Sequence, residues 1–455
     1  MAVVQRMLWR EDEVGAPSDA RDLAEELRGF RCGERTTATT RVRASDDSVE
    51  VEVFANQFWT PLQRDASSLH EISYRACFKP ALPRFFVERL TRPSDRVHDP
   101  FLGRGTTAIE AALLGRIPSG CDVNPLSRML CEPRLAPPEL GEIAARLAAI
   151  DLAADAEAPA DLLAFFHPDT LRAIAALRTW LLARDAEGKL DPVDRWIRMV
   201  TVNRLTGHSP GFLSVYTLPP NQAVSVAAQL KINQKRGQSP PFRDLRAIVR
   251  KKSEALLKDV GPVERATLAS VAHGATLLCG SSDATPELPD GSIDLAVTSP
   301  PFLDVVQYRA DNWLRCWFCG IDASAVPVAE LRGLDAWEAL MTRVLVEQRR
   351  ILRPGGHVAF EVGEVRAGTI KLDEHVLTCA VRAGLEPRFV LVQDHHFTKT
   401  ANCWGIDNNQ KGTNTNRVVL LRRPCDRSLT PHRAALASER PRNPDASRDR
   451  AAPAG

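Results

Sequence analysis

A strand, a helix and a second strand follow one another between residues 96 and 122. The stretch "RVHDPFLG" is typical of a strand that runs into a turn, "TTAIEAALLG" has the apolar spacing of a helix ended by Gly115, and "IPSGCDV" indicates another short strand. Strands joined by a helical crossover run parallel. The unit therefore predicts an α/β fold with a doubly wound, mostly parallel sheet, whose ligands bind beyond the carboxyl ends of the strands.

The α/β pattern is interrupted once along the chain. From about Pro137 to Val271 the apolar spacing is helical, and strand patterns then resume and continue to "EPRFVLVQ" and "NRVVLLRR", which predict a C-terminal antiparallel β-hairpin. The sequence thus predicts five segments: 1–60, to which we assign no role; 61–136, the first part of the sheet domain; 137–271, an inserted helical domain; 272–423, the second part of the sheet domain; and 424–455, a disordered tail rich in proline, arginine, alanine, serine and aspartate.

Composition restricts the class of protein. The chain has 455 residues, 44% of them hydrophobic, so it can bury a large core. It has no run of about 18 apolar residues, and its first residues lack the apolar region of a secretory signal. Ten scattered cysteines suit a reducing compartment. These features predict a globular, cytoplasmic protein.

One segment of the chain is strongly basic, although the net charge is only +2. Residues 230–258 hold nine basic and two acidic residues, a local net charge of +7. A polyanion such as nucleic acid would bind such a segment. A solvated helix face is the alternative, and it is the commoner meaning of a basic run.

The loop after the first strand has the features of a ligand-binding turn. Gly103 and Gly105 let the backbone approach a ligand, and the helix that starts near Thr106 offers free N–H groups to a carboxylate. Asp122 follows Gly103 by 19 residues, at the end of the next strand, from where a carboxylate reaches ribose hydroxyls. The third glycine of a dinucleotide fingerprint is missing, which disfavours NAD. The pattern predicts a nucleoside that carries an acidic group.

Two consecutive prolines end the apolar strand in "SIDLAVTSPPF". Proline lacks an N–H group and biases the preceding residue towards extended geometry, so Pro300 and Pro301 form a stiff corner that leaves nearby carbonyls available. An exocyclic amine of a nucleobase is a poor nucleophile, because its lone pair is delocalised into the ring. Hydrogen bonds to Ser299 and to the Pro300 carbonyl help to localise that pair, and Phe302 can stack on an extruded base. The corner predicts chemistry on a base amine.

The stretches "DPFLGRGTT", "CDVNP" and "TSPPF" together resemble the loops of the DNA amino-methyltransferases, the N4-cytosine and N6-adenine family that uses S-adenosylmethionine. The resemblance spans about residues 75–131 and 275–423, and it implies a Rossmann-like methyltransferase sheet with no metal. It implies that Asp122 holds the ribose and that Asp283 contacts the adenine of the cofactor. The other residues that it assigns are the catalytic corner, Ser299, Pro300, Pro301 and Phe302, and the cofactor contacts Phe78, Lys79, Pro80, Asp99, Phe101, Gly103, Gly105, Thr106, Thr107 and Asn124.

The same resemblance implies double-stranded DNA as the substrate. Restriction-modification or epigenetic marking is the expected role, with a cognate restriction endonuclease as a further partner. Serine before the two prolines is commoner in members that act on cytosine, so Ser299 favours cytosine N4 over adenine N6. Two alternatives stay open: an RNA methyltransferase that modifies a guanine amine, and a catalytically silent DNA-binding protein.

Target recognition is expected in the helical insertion, in the asparagine-rich loop "TKTANCWGIDNNQKGTNTNR", or in both. For that loop, a long hairpin turn with self-satisfied side chains is the alternative. Cys316 and Cys319 form a lone CxxC without a second pair at zinc spacing, so we expect two buried cysteines. The predicted DNA contacts are Lys235, Arg236, Arg250, Lys251, Lys252, Lys411 and Asn414.

Overall fold

The predicted strand, helix and strand of residues 96–122 are present and lie within one large sheet. The computed structural model describes residues 20–59, 66–74, 77–217, 223–301, 308–327, 333–365, 370–394 and 415–425. The strands in these ranges are β1 (Arg31–Cys32), β2 (Arg35–Thr36), β3 (Ala38–Arg43), β4 (Glu50–Asn56), β5 (Arg96–Asp99), β6 (Ile117–Asp122), β7 (Thr276–Cys279), β8 (Ile293–Thr298), β9 (Leu352–Val362), β10 (Glu364–Val365), β11 (Ile370–Lys371), β12 (Glu386–Asp394) and β13 (Thr415–Arg422).

The main sheet has nine described strands in the order β3-β4-β12-β13-β9-β8-β5-β6-β7. From β7 to β9 every neighbouring pair is parallel, with Asp122 of β6 beside Cys279 of β7. Strand β13 runs antiparallel to both β9 and β12. A parallel block with an antiparallel hairpin at the end of the chain confirms the predicted fold class, including the C-terminal β-hairpin.

Helices cover both faces of this sheet. Leu295 and Val297 of β8 lie in an apolar cluster with residues of the first two helices, and Ala296 lies in a second cluster with residues of the last two. Burial on both faces explains why β8 has a continuous apolar run. The helices are α1 (Ala20–Gly29), α2 (Ala81–Leu90), α3 (Thr106–Leu113), α4 (Pro125–Leu135), α5 (Leu140–Ala149), α6 (Pro168–Ala186), α7 (Pro192–Arg204), α8 (Val226–Arg236), α9 (Leu245–Leu257), α10 (Pro262–Ala272), α11 (Tyr308–Phe318), α12 (Leu334–Ile351) and α13 (Leu372–Arg382).

The N-terminal region, which received no role from the sequence, extends the sheet. Strands β3 and β4 form an antiparallel hairpin, and β4 pairs in parallel with β12 through residues such as Val53 and Val390. Leu23 and Leu27 of α1 are fully buried in the apolar cluster against β8 and α2. At least the part of this region from residue 20 onwards therefore belongs to the sheet domain.

Helices α5 to α10 occupy residues 140–272, where the sequence predicts helices. They share one continuous apolar core with the sheet domain: Phe165 and Trp196 lie in the same buried cluster as Leu102 and Ile109. The insertion is thus packed against α3 and the loop of residues 100–105, which the sequence predicts to bind the cofactor and which we call the cofactor loop. Among the helices that the structure describes, none is long and apolar enough to cross a membrane.

Candidate active site

The loop between β5 and α3 has the backbone geometry that its glycines predict. Gly103 has φ +50° and Gly105 has φ +78°, a left-handed conformation that other residues rarely adopt. Gly105 forms the N-cap of α3 and lies so close to Cys131 of α4 that an added Cβ would be 2.6 Å from the Cys131 Sγ. The glycines bring the loop tightly against α4 and leave the first N–H groups of α3 beside the loop.

Asp122 at the end of β6 holds this loop. Its Oδ2 accepts a hydrogen bond from the Gly103 N–H at 2.8 Å, and its Oδ1 accepts one from the Asn124 N–H at 2.9 Å. Burial raises the pKa of Asp122, while these two N–H groups act in the opposite direction. The 19-residue spacing between Gly103 and Asp122 therefore corresponds to a direct contact. Because each carboxylate oxygen has a further lone pair, Asp122 can still accept from hydroxyl groups.

Asp99 connects the cofactor loop to the strand that carries the proline corner. Its Oδ1 accepts hydrogen bonds from the Thr298 hydroxyl at 2.6 Å and from the Phe101 N–H at 3.0 Å. Burial raises the pKa of Asp99 to about 6, against the effect of these donors. The Thr107 hydroxyl reinforces the link, since it donates to the Val297 carbonyl at 3.0 Å. The carboxyl ends of β5 and β8 are thus adjacent.

Several residues that are predicted to contact the cofactor have side chains that are buried or hydrogen-bonded within the protein. Thr106 and Thr107 are buried, and the Thr106 hydroxyl accepts a hydrogen bond from the Arg104 Nε at 3.1 Å. Arg104 also donates to the Phe78 carbonyl at 3.5 Å, which ties the segment before α2 to the loop. Pro80 is the N-cap of α2, and burial lowers the pKa of the neighbouring Lys79.

Asp283 lies in the loop after β7, next to the cofactor loop. The Ser282 hydroxyl donates to the Pro100 carbonyl and so joins the two loops. The Asp283 carboxylate accepts from the Ser281 hydroxyl at 2.5 Å and from the Arg343 Nε at 2.9 Å. These two contacts, the Ser281 hydroxyl foremost, lower the pKa of Asp283. The predicted adenine contact therefore lies in a loop that adjoins the cofactor loop, and its carboxylate forms an ion pair with Arg343.

The proline corner is held from the side of α12. Pro300 is buried, Pro301 is half-buried, and the Pro301 carbonyl accepts a hydrogen bond from the indole Nε1 of Trp337 at 3.2 Å. Trp337 has no exposed surface. This contact occupies the Pro301 carbonyl and leaves Ser299 and the Pro300 carbonyl as the acceptors that the sequence singled out. Phe302, the remaining residue of the predicted corner, lies outside the described residues.

Glu361 is a functional candidate that sequence reasoning missed. It lies on β9, 6% exposed, with its side chain within hydrogen-bonding reach of the Ser299 side chain. Burial raises the pKa of Glu361 to about 7, and the Ser299 contact acts in the opposite direction. The signal was a glutamate within the apolar strand "HVAFEV", because strands buried on both faces otherwise carry apolar residues.

The basic segment does not form one surface. Lys235 and Arg236 are exposed on α8, and the Arg236 guanidinium lies 3.8 Å from the centre of the Tyr216 ring. On α9, Lys251 is exposed, as is Arg250, which pairs with Glu254 at 3.0 Å. The Lys252 side chain points inward and is only 11% exposed. Lys411 and Asn414 lie outside the described residues.

The two cysteines of the lone CxxC are both buried, as the sequence predicts: Cys316 and Cys319. Burial raises the pKa of Cys316 to about 11 and that of Cys319 to about 12. Within the part of the chain that the structure describes, no group of three or more histidine, cysteine or acidic side chains is arranged to hold a metal.

Residues 18–127 match the N6_N4_Mtase family model, whose description is DNA methylase. This match supports a DNA methyltransferase. It covers the cofactor loop, Asp122 and the N-terminal strands β3 and β4, and it ends before the proline corner. Among curated proteins, none matches this sequence.

Solved structures that match the chain include several methyltransferases. A geranyl diphosphate C-methyltransferase from Streptomyces coelicolor A3(2) has 9% identity, with 80% of this chain and 98% of that chain covered and a TM-score of 0.31. A SAM-dependent methyltransferase from Methanosarcina mazei has 10% identity, with 74% of this chain and 97% of that chain covered and a TM-score of 0.29. A candidate DNA modification methylase from Thermus thermophilus has 22% identity, with 30% of this chain and 47% of that chain covered and a TM-score of 0.18. At these TM-scores the likenesses carry no conclusion about activity.

Proposed function

We propose that this protein transfers the methyl group of S-adenosylmethionine to the exocyclic N4 amine of a cytosine that is extruded from double-stranded DNA. The observation that carries the proposal is the hydrogen bond between Asp99 and Thr298. It joins the carboxyl ends of β5 and β8, so that the loop with Gly103 and Asp122 lies beside the corner that begins at Ser299. Donor and acceptor of a methyl group need such proximity, because orientation supplies much of the rate.

In the proposed cofactor pocket, Asp122 binds the ribose hydroxyls and Asp283 lies at the adenine end. The N–H groups at the start of α3 face the methionine carboxylate. For Asp283 to contact the adenine, the carboxylate has to share its lone pairs between the cofactor and Arg343, which holds it at 2.9 Å. A carboxylate has enough lone pairs for both.

The proposed chemistry is a direct displacement. When bound, S-adenosylmethionine would supply the methyl group to the amine nitrogen and leave as S-adenosylhomocysteine, and the proton released by the amine would pass to water. Ser299 donates its hydroxyl hydrogen to the Glu361 carboxylate, so that the Ser299 oxygen accepts from the amine N–H. The Pro300 carbonyl accepts from the second N–H. These fixed acceptors localise the nitrogen lone pair with little reorganisation.

Ser299 is the residue that favours cytosine, and the product decides the base. We expect N4-methylcytosine in nucleosides from the DNA of cells that express the protein, measured by mass spectrometry, and much less of it in cells that express Ser299→Ala at the same level. N6-methyladenine as the sole new base would overturn the cytosine assignment. A modified guanine amine in RNA, or no modified base at all, would overturn the DNA methyltransferase itself. Mapping the modified positions would give the recognition sequence and show whether the role fits restriction-modification.

Methyl transfer is expected to rise as the pH increases through about 7, the pKa of Glu361. The carboxylate can only accept and so holds the Ser299 hydrogen, whereas the protonated form also has an O–H that can donate to the Ser299 oxygen in place of the amine. Glu361→Gln should lower the single-turnover rate at high pH by roughly 10- to 150-fold, the scale of one lost charge-assisted hydrogen bond, and should flatten the pH profile. The measurement is single-turnover methylation of duplex DNA over a pH series.

Stability gives an independent readout of the same group. The pKa of Glu361 is about 7 in the folded state against an ordinary value of 4.5, so the folded state binds more protons in this interval. Its contribution therefore makes the free energy of unfolding fall as the pH rises from about 4.5 to about 7, and Glu361→Gln removes this component. In Ser299→Ala the free energy of unfolding should still fall between about pH 4.5 and 7, because Glu361 is present. The remaining rate of methyl transfer should no longer change with the protonation of Glu361. A pH–rate profile that is the same in Glu361→Gln as in the wild type would contradict the role of Glu361.

A further inference from the structure

A cluster of cations lies where α7 ends, between the segment before α2 and the last turn of α11. Arg204, the last residue of α7, donates from Nη2 to the Asn203 Oδ1 at 3.0 Å. Asn203 in turn donates from Nδ2 to the Ser73 carbonyl at 3.1 Å, and the same carbonyl accepts from the Arg315 Nη2 at 3.2 Å. One carbonyl thus links two guanidinium groups that come from different parts of the chain.

A third cation, Lys252 of α9, joins this cluster from the other side. Its Nζ lies 3.8 Å from the Glu71 Oε2, and Glu71 also pairs with Lys258 at 3.0 Å. The carboxylates that act on the cluster are Glu71 and Asp311. Among the described residues, the cluster thus holds more cations than carboxylates: Lys252, Lys258, Arg204 and Arg315 against Glu71 and Asp311.

Burial makes this arrangement costly for the protein alone. The pKa of Arg204 is lowered to about 10, mainly by burial and secondly by the charge of Arg315. The pKa of Lys252 is lowered to about 8, mainly by burial and secondly by the charge of Arg204. Like charges that are partly removed from water destabilise a fold unless an anion compensates for them. Such a cluster is therefore a candidate site for an anionic ligand.

Two of the cations have hydrogen-bond donors that the protein does not use. Among the described residues, the Arg204 Nη1 donates no hydrogen bond, and the Lys252 ammonium is in ion-pair range of Glu71 without a hydrogen bond. The Arg204 guanidinium is held 4.1 Å from the centre of the Phe212 ring, which fixes its orientation. A guanidinium of fixed orientation and an ammonium in the same cluster, both with spare donors, suit the oxygens of a phosphate.

The cluster adjoins the cofactor half of the proposed active site. On one side, Tyr74 follows Ser73, and its hydroxyl accepts from the Asn124 Nδ2 at 3.3 Å, next to Asp122. On the other side, Arg315 lies on α11, the helix that follows the proline corner in the chain. An anion bound here would therefore lie beside the segment that contacts Asn124, next to the cofactor loop.

We infer that Arg204 and Lys252 bind a backbone phosphate of the DNA strand that carries the extruded base, while Arg315, which is 8% exposed and donates to the Asn312 Oδ1 and the Ser73 carbonyl, adds positive charge from inside the protein. The inference rests on the proposed function, and it gives the helical insertion a part in holding the substrate strand. The same anion chemistry is present in the methionine carboxylate of S-adenosylmethionine, so the test measures the two ligands separately.

The test variants are Lys252→Met, which keeps the apolar stem of the side chain, and Arg204→Gln. We expect each to weaken binding of a fluorescein-labelled, mixed-sequence DNA duplex by roughly tenfold in fluorescence anisotropy, as loss of a charged hydrogen bond does. The slope of log K against log salt should become shallower by about 0.9 for each lost phosphate contact. Calorimetry should show unchanged affinity for S-adenosylmethionine in both variants.

Lys189→Met and Arg128→Gln are matched controls, because both residues are exposed and pair locally with Glu187 and Glu132. Since Arg204→Gln also removes the contact with Phe212, Lys252→Met with an unchanged unfolding midpoint gives the decisive comparison. Weaker S-adenosylmethionine binding with unchanged DNA binding would show that the anion is the cofactor carboxylate and overturn the inference. Unchanged affinity for both ligands would show that the cluster binds neither. If the wild type binds but does not methylate DNA, the proposed function fails while the phosphate contact can still be judged.

Discussion

Replacing Gly105 by alanine is expected to lower the free energy of unfolding by about 2–5 kcal/mol. At φ +78° a side chain costs roughly 1–2 kcal/mol, and the new Cβ would lie 2.6 Å from the Cys131 Sγ and 2.8 Å from the Cys131 Cβ. Relieving such a clash in a packed core costs roughly 1–3 kcal/mol more. The total is a large part of the stability of an ordinary domain. Urea unfolding of the cofactor-free protein measures it.

Gly103→Ala is the matched control for this prediction. Gly103 also has a positive φ, +50°, but an added Cβ would find its nearest heavy atoms at 3.7 and 3.8 Å. It should therefore lose only the conformational part, roughly 1–2 kcal/mol. Equal losses for the two variants would mean that the approach of the loop to α4 does not restrict position 105.

Asp122→Ala should weaken binding of S-adenosylmethionine by roughly 1.5–3 kcal/mol, the scale of hydrogen bonds to a charged group. Two effects add: the ribose loses its acceptor, and the N–H groups of Gly103 and Asn124 lose the carboxylate that holds both loops. Isothermal titration calorimetry measures the affinity. Unchanged affinity would remove Asp122 from the cofactor site.

Asp122→Asn separates these two effects. The amide keeps one oxygen for a backbone N–H group but has no charge, so it should retain part of the loop order and bind the cofactor with intermediate affinity. An affinity equal to that of Asp122→Ala would assign the whole effect to the charge. Unfolding of both variants without cofactor would report how much Asp122 contributes to the loops alone.

Local sequence patterns predicted the geometry of the loop with Gly103 and Gly105 well. The strand, helix and strand of residues 96–122 require only short-range periodicity, and the two glycines require a tight turn. Gly103 and Asp122, 19 residues apart in the chain, form a hydrogen bond because the parallel strands β5 and β6 are neighbours and end at the same edge of the sheet. The N-terminal strands were missed because their short alternating segments give a weak signal until they pair with β12.

The sequence by itself determined the α/β class, the C-terminal hairpin, the loop with Gly103 and Gly105, and the stiff proline corner, because each depends on residues close together in the chain. Only the tertiary structure decided that Glu361 adjoins Ser299, that Trp337 holds the Pro301 carbonyl, and that Lys252 turns inward while Lys251 stays exposed. These contacts depend on strand order and on how the insertion packs against the sheet. The spacing of residues along the chain does not indicate which distant residues come into contact. The cation cluster around Ser73 could therefore be identified only from the folded structure.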